Sequence, residues 1–173
     1  LPLKTPEGPD TRPTTDRIKE TLFNMLQTMI PGAIFVDLFS GSGGIGIEAL
    51  SRGASKAYFI ENAPKELSCI EQNLMFTKFV DRAIVIKQDA VSALHSIFEK
   101  EIDIIFMDPP YESGLYEPVL QKIIEKNLLK QEGYLITERS SQIPLETPAG
   151  MEVLREKAYK TTILTFLGLE ETK

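Results

Sequence analysis

Two short segments combine residue types that could do chemistry. The first is Asp37 followed by a glycine-rich stretch, so that residues 37–46 are D-L-F-S-G-S-G-G-I-G. The second is the tetrapeptide D-P-P-Y at residues 108–111. Each follows an apolar run and places a carboxylate where a predicted strand ends. Ligands of open α/β sheets bind just outside the carboxyl ends of the strands, so both segments are candidates for one site.

The glycine-rich segment is typical of a loop that approaches a ligand closely. Gly41, Gly43 and Gly46 fit the pattern G-x-G-x-x-G, and Glu61 lies 20 residues after Gly41. Glycines let the backbone turn tightly with no Cβ in the way. Both dinucleotides and S-adenosylmethionine carry a ribose diol to which Glu61 could hydrogen-bond, so the loop alone leaves both cofactors open, beside a simple strand–helix turn without a ligand.

Asp37 favours S-adenosylmethionine over a dinucleotide. A carboxylate repels a pyrophosphate, whereas it attracts the ammonium group of the methionine part. Helix capping or a surface role could also account for an aspartate at this position.

The tetrapeptide predicts methylation of an exocyclic amine on a planar base. The prolines Pro109 and Pro110 fix φ and remove two N–H donors, so the turn is rigid. Asp108 and the Pro109 carbonyl can accept the two amine hydrogens, and Tyr111 can stack on the base, which is worth roughly 1–3 kcal/mol. Orienting two reactants can supply ~7–11 kcal/mol of the barrier. The alternative is a loop that merely ends the strand.

Short apolar runs alternate with helical patterns between these motifs. Strands are predicted at residues 33–39, 57–60, 83–86, 102–107 and 134–137, and helices at 45–52, 64–77, 91–99 and 116–129. A first helix is predicted after an N-cap at Thr14, with apolar residues spaced from Ile18 to Met29. Runs at 151–159 and 161–167 indicate a terminal hairpin.

This order predicts a doubly wound, Rossmann-like α/β sheet that is mostly parallel and has an antiparallel C-terminal hairpin. A class I methyltransferase fits it better than a plain dinucleotide-binding fold. We expect one domain over residues 1–173, with an extended segment and helix at 1–31 and the catalytic core at 33–173.

Composition narrows the functional class further. The chain has 173 residues, 42% of them hydrophobic, and its 19 Lys and Arg against 25 Asp and Glu give a net charge of −6. These values are typical of a globular protein and argue against an indiscriminate polyanion binder. The single cysteine excludes an intramolecular disulfide, and no apolar stretch approaches the roughly 18 residues of a membrane span. We therefore expect a cytoplasmic protein, and no metal site, since no metal-ligand spacing occurs.

The sequence resembles the RsmD-type methyltransferases, which modify guanine N2 in bacterial small-subunit ribosomal RNA. The resemblance covers essentially the whole chain and rests on R-P-T-T-D-R at 12–17, E-T-L-F-N at 20–24, D-L-F-S-G-S-G at 37–43, E-A-L-S-R-G-A at 48–54 and D-P-P-Y. Family members usually open with a basic, glycine-containing β segment. This sequence begins just past it and without an initiator methionine, so we expect a longer gene product and weaker RNA binding by this chain.

The resemblance implies a cofactor and a substrate. S-adenosylmethionine would be bound by Asp37, Phe39, Gly41, Gly43, Glu61, Asn62, Asp89 and Ala90, with the ribose on Glu61 and the adenine amine near Asp89. The target guanine would be held by Asp108, Pro109, Pro110 and Tyr111. Ribosomal RNA, free or in an assembled 30S particle, would contact Arg12, Thr14 and Arg17. A surface turn would account for Asp89 equally simply, and a solvated helix cap would account for the arginines.

Three other functions remain open. Related tetrapeptides also serve methylation of adenine N6 in nucleic acid or of protein glutamine. An NAD-dependent oxidoreductase fits the glycine loop but not Asp37 or the tetrapeptide. A catalytically silent RNA-binding module would keep the same fold.

Overall fold

The alternating apolar runs and helical patterns form a seven-stranded sheet flanked by helices. The computed structural model describes residues 3–4, 16–97, 99–109 and 114–171. The strands are β1 (Ile34–Asp37), β2 (Lys56–Ile60), β3 (Ala83–Ile86), β4 (Ile102–Met107), β5 (Leu129–Ser140), β6 (Met151–Ala158) and β7 (Thr162–Leu169). The helices are α1 (Asp16–Met25), α2 (Gly44–Ser51), α3 (Pro64–Thr77), α4 (Ala90–Ser96) and α5 (Tyr116–Glu125).

The strand order is β3-β2-β1-β4-β5-β7-β6. Strands β1 to β5 are parallel, whereas β7 is antiparallel to both of its neighbours, β5 and β6. The predicted doubly wound sheet with a terminal hairpin is thus confirmed. The reversed strand lies between two others and not at the edge. From β1 the chain adds β2 and β3 on one side of the sheet, and it then adds β4 and β5 on the other side. The switch point therefore lies between β1 and β4, and a ligand crevice opens at such a point.

Side chains of successive strand residues pack against opposite layers of helices. Phe35 and Phe106 belong to a cluster with residues of α1, α2 and α3, which we call the first face of the sheet. Val36 and Met107 belong to a second cluster with residues of α4 and α5. Side chains alternate between the two faces along a strand. A residue two positions from a member of one cluster therefore lies on the same face as that member.

Three predicted helices end earlier than their apolar patterns suggest, and one of them, α4, ends at Ser96 where the prediction extended to residue 99. Helix α1 ends at Met25, and the turns that follow bring Leu26 and Ile30 into the core. Helix α5 ends at Glu125, because Asn127 adopts a left-handed φ of 53° and Leu129 already begins β5. Asparagine tolerates this conformation better than most residues. None of the helices described is long and apolar enough to cross a membrane.

Candidate active site

Two aspartates lie at neighbouring strand ends at the switch point of the sheet. Asp37 is the last residue of β1, and its Cα is paired with that of Phe106 in β4. Asp108 follows two residues after Phe106. Since Phe35 and Phe106 both pack on the first face, the alternation of side chains puts Asp37 and Asp108 on this same face. The structure therefore brings together the two carboxylates that the sequence places 71 residues apart (108 − 37).

Asp37 is almost completely buried, with 2% of its surface exposed. The pKa of its carboxyl is raised to about 7, mainly by burial; the Phe39 backbone N–H lowers this pKa and the nearby charge of Glu61 raises it. That N–H donates to Oδ1 of Asp37 at 3.3 Å. A cationic ligand group beside Asp37 would restore the ionised form, so the site suits an ammonium group.

Asp108 is half-buried and therefore accessible to a substrate. Burial is the main cause that raises the pKa of Asp108 to about 8, and the charges of Glu138 and Asp37 add to it. Pro109 beside it is buried. Pro110 and Tyr111, which are also predicted to hold the target guanine, lie outside the described residues.

Ser40 fastens the loop after β1 to the end of β2. Its N–H donates to the Ile60 carbonyl at 3.0 Å, and its hydroxyl accepts from the Ile60 N–H at 3.0 Å. The same hydroxyl donates to the Asp37 carbonyl at 2.9 Å. Sequence reasoning did not single out this residue. A small hydroxyl residue between two strand ends was the only signal, and many loops share it.

The three glycines of the loop have different roles. Gly41 and Gly43 adopt left-handed φ values of 55° and 92°, and Gly43 is the N-cap of α2. A Cβ on Gly46 would lie 2.4 Å from Cε2 of Phe59, so the absence of a side chain lets α2 approach the sheet closely. The loop thus exposes backbone next to Asp37 while its helix packs directly on β2.

Glu61 is oriented by three backbone N–H groups. Its Oε1 accepts from Gly41 at 2.9 Å, and its Oε2 accepts from Asn62 at 3.1 Å and from Ala63 at 3.0 Å. An ionised carboxylate has about four acceptor positions, so one further donor can still bind. Asn62 is exposed beside it.

Asp89 is the N-cap of α4. Its Oδ1 accepts from the Ser92 N–H at 2.9 Å and its Oδ2 from the Ser92 hydroxyl at 2.7 Å. These bonds lower the pKa of Asp89. Ala90, the first residue of the helix, is buried. A structural role for Asp89 is therefore evident, and its contact with a cofactor stays a prediction.

Asn73 is a positioning residue that sequence reasoning did not identify. It is buried in the middle of α3, and its Nδ2 donates to the carbonyls of Ser42 and Lys4, both at 3.0 Å. Its Oδ1 accepts from the Lys4 N–H at 2.8 Å. The side chain thereby joins the glycine loop to the amino-terminal segment. The available signal was a polar residue between the apolar helix positions Ile70 and Leu74.

The predicted RNA contacts are described only in part. Arg17 is exposed in the first turn of α1, and Arg12 and Thr14 lie outside the described residues. Among the side chains that the structure describes, no group of three or more His, Cys, Asp or Glu is arranged to hold a metal ion.

Comparison with known proteins finds relatives that match nearly the whole chain. The family model described as conserved hypothetical protein 95 matches residues 1–168. Ribosomal RNA small subunit methyltransferase D of Haemophilus influenzae is 37% identical over 159 residues, which cover 91% of this chain and 81% of that protein. The protein of the same name from Escherichia coli is 37% identical over 156 residues, covering 90% and 78%. The solved structure of yhhF from Escherichia coli has a TM-score of 0.86 at 34% identity, covering 97% of this chain and 91% of that one.

Proposed function

The chain belongs to the RsmD family, and from this premise we propose that it transfers the methyl group of S-adenosylmethionine to the exocyclic N2 amine of a guanine in small-subunit ribosomal RNA. The observation that carries the proposal is the pair Asp37 and Asp108, on one face of the sheet at neighbouring strand ends. One carboxylate suits the cationic end of the cofactor and the other suits the amine that receives the methyl group.

The residues around the glycine loop fit the cofactor. Asp37 binds the ammonium group, because a buried carboxylate with a raised pKa gains most from a cation. Gly41 and Gly43 contact the ligand through their backbone, since both adopt left-handed φ values that turn the loop, and Glu61 accepts from the ribose diol. Phe39, Asn62, Asp89 and Ala90 lie at the ends of β1, β2 and β3 and complete the binding surface. When bound, S-adenosylmethionine supplies a methyl group on a positively charged sulfur.

Asp108 and the Pro109 carbonyl orient the amine. Each accepts one N–H, and the nitrogen lone pair is directed at the methyl carbon. Methyl transfer would break the bond between the methyl group and the cofactor sulfur and leave the positive charge on the amine nitrogen. The nitrogen must then lose one proton. Asp108 can receive it in its ionised form, which the free protein reaches as the pH rises through the pKa of about 8. Pro110 and Tyr111 would hold the base itself.

Recognition of the RNA requires positive charge on a protein whose net charge is −6. Arg12, Thr14 and Arg17 are the proposed contacts, and exposed Arg17 is the one that the structure describes. Phosphate contacts position an RNA without selecting its sequence. An assembled 30S particle would add protein surfaces to this recognition. A ribosomal RNA substrate also places the proposed reaction in the cytoplasm.

The test is methylation of small-subunit RNA from cells that lack this activity, offered both free and in the ribosomal particle. After digestion, mass spectrometry should detect N2-methylguanosine at one position with the parent protein and none with Asp108→Ala. Formation of N6-methyladenosine would support the alternative amino-methyltransferase instead. Binding of RNA and cofactor without any methylated nucleoside would identify a silent RNA-binding module.

A further inference from the structure

Glu138 lies beside Asp108 at the end of the next strand. In the parallel pairing of β4 with β5, the Cα of Phe106 is opposite that of Ile136. Both residues belong to the hydrophobic cluster of the first face. Two residues further along each strand, Asp108 and Glu138 therefore lie next to each other on that same face.

The surroundings of Glu138 tie it to the site. Its charge contributes, after burial, to the raised pKa of Asp108, as expected for two carboxylates close together. The Tyr116 hydroxyl donates to the Glu138 carbonyl at 3.1 Å and so anchors the backbone at this strand end. The side chain is half-buried, which leaves it accessible to a ligand.

Three carboxylates thus follow one another across the sheet, with Asp37 at the end of β1, Asp108 just after β4 and Glu138 on β5. The proposed cofactor occupies the Asp37 side. An amine held over Asp108 must therefore belong to a base that extends away from the cofactor, toward Glu138. On guanine the group next to the N2 amine is the ring N1–H, which is a hydrogen-bond donor.

We propose that Glu138 accepts a hydrogen bond from guanine N1–H and is a specificity residue for guanine; this inference rests on the proposed function. Adenine has an unprotonated ring nitrogen beside its amine, and its lone pair would face the carboxylate. A site built to pair with a donor rejects an analogue that lacks this donor, because two acceptors would then face each other with no hydrogen between them. Asp108 alone could not distinguish the two purines, since both offer it an amine.

The experiment compares two versions of the RNA substrate, with guanine or 2,6-diaminopurine at the methylated position. Diaminopurine keeps the N2 amine but lacks the N1–H. The parent protein should methylate the guanine RNA at least 10-fold faster. Glu138→Gln should reduce this preference about 10-fold, because the amide can accept from N1–H or donate to the unprotonated nitrogen. Its affinity for S-adenosylmethionine should remain unchanged.

Glu132→Gln is the matched control, because Glu132 is exposed on the same strand. Glu138→Asp is the second variant if Glu138→Gln does not fold. Its side chain is shorter, so it should also reduce the preference for guanine RNA over diaminopurine RNA. An unchanged ratio in the folded variants would overturn the role of Glu138 while leaving the proposed function intact. If the parent protein forms no N2-methylated base, both the proposed function and the role of Glu138 are overturned. The reaction of the parent protein with guanine RNA distinguishes this outcome from the previous one.

Discussion

The carboxylate of Glu61 accepts a hydrogen bond from the backbone N–H of Gly41, 20 residues earlier in the chain, at an N···O distance of 2.9 Å. This bond joins the end of β2 to the glycine loop after β1. The residue proposed to bind the cofactor ribose is therefore already held in place by the loop that the cofactor would contact. Such preorganisation lowers the cost of ordering the site when a ligand binds.

Substitution of Glu61 should weaken cofactor binding. We expect Glu61→Ala to reduce the affinity for S-adenosylmethionine by ~1.5–3 kcal/mol, since the ribose hydroxyls lose a charged acceptor. Calorimetric titration measures this directly. Glu71→Ala is the control, because Glu71 lies on α3 and pairs with Lys87 at the surface. Equal affinity in the two variants would remove Glu61 from the cofactor site.

Cofactor affinity should depend on pH through Asp37. The ionised carboxylate binds the ammonium group, and the pKa of Asp37 in the free protein is about 7. Below that pH a growing fraction of the protein must release a proton before binding, so the affinity should fall by up to about 10-fold per pH unit. Titrations between about pH 5.5 and 8.5, on either side of this pKa, test this. Asp37→Asn should bind weakly at every pH, and a similar pH dependence in this variant would assign the titration to another group.

Asp108 should be needed for chemistry more than for cofactor binding. Asp108→Ala removes an acceptor from the substrate amine, and we expect methyl transfer to fall by about 100-fold or more. Affinity for S-adenosylmethionine should remain close to that of the parent protein. Single-turnover rates and calorimetry separate the two effects. Transfer at the parental rate would show that Asp108 has only a structural role.

The same aspartate should make the free protein less stable at high pH. Its pKa is 3.8 in the reference state and about 8 in the folded protein, so between these values the folded chain holds a proton that the unfolded chain lacks. The free energy of unfolding therefore falls as the pH rises through this window, by about 1.4 kcal/mol per unit. In Asp108→Asn the free energy of unfolding should fall less over the same pH range, because this group no longer titrates. Urea unfolding at about pH 5 and pH 8 gives the comparison, and parallel declines would contradict the assignment.

Helix α2 offers a matched pair of glycines for a packing test. A Cβ at Gly46 would lie 2.4 Å from the buried ring of Phe59, whereas a Cβ at Gly44 would lie 4.0 Å from Nζ of Lys19. Gly46→Ala should destabilise the protein by roughly 1–3 kcal/mol, because the overpacked helix must move from the sheet. Gly44→Ala should have little effect. Thermal unfolding of both variants decides the question, and equal melting temperatures would argue against close packing at Gly46.

The boundary between α5 and β5 shows where prediction from sequence reached its limit. Residues 126–133 have no strand pattern, yet Leu129 pairs with Ile102 and the strand continues through an irregular register. Gly133 fits there because a Cβ would lie 2.9 Å from the Asp103 carbonyl of β4. The neighbouring strand imposes this conformation, so local sequence gives no sign of it.

The sequence predicted the type and order of the elements, the family and the two motifs, because periodicity, glycine loops and proline turns are local properties. It placed Asp37 and Asp108 at strand ends, and the structure confirmed these positions. Three features became apparent only from the folded chain: Asp37, Asp108 and Glu138 lie in a row on one face, Asn73 joins the glycine loop to the amino-terminal segment, and burial raises the pKa values of both aspartates. These features depend on strand order, register and the exclusion of water, which arise between segments far apart in the chain.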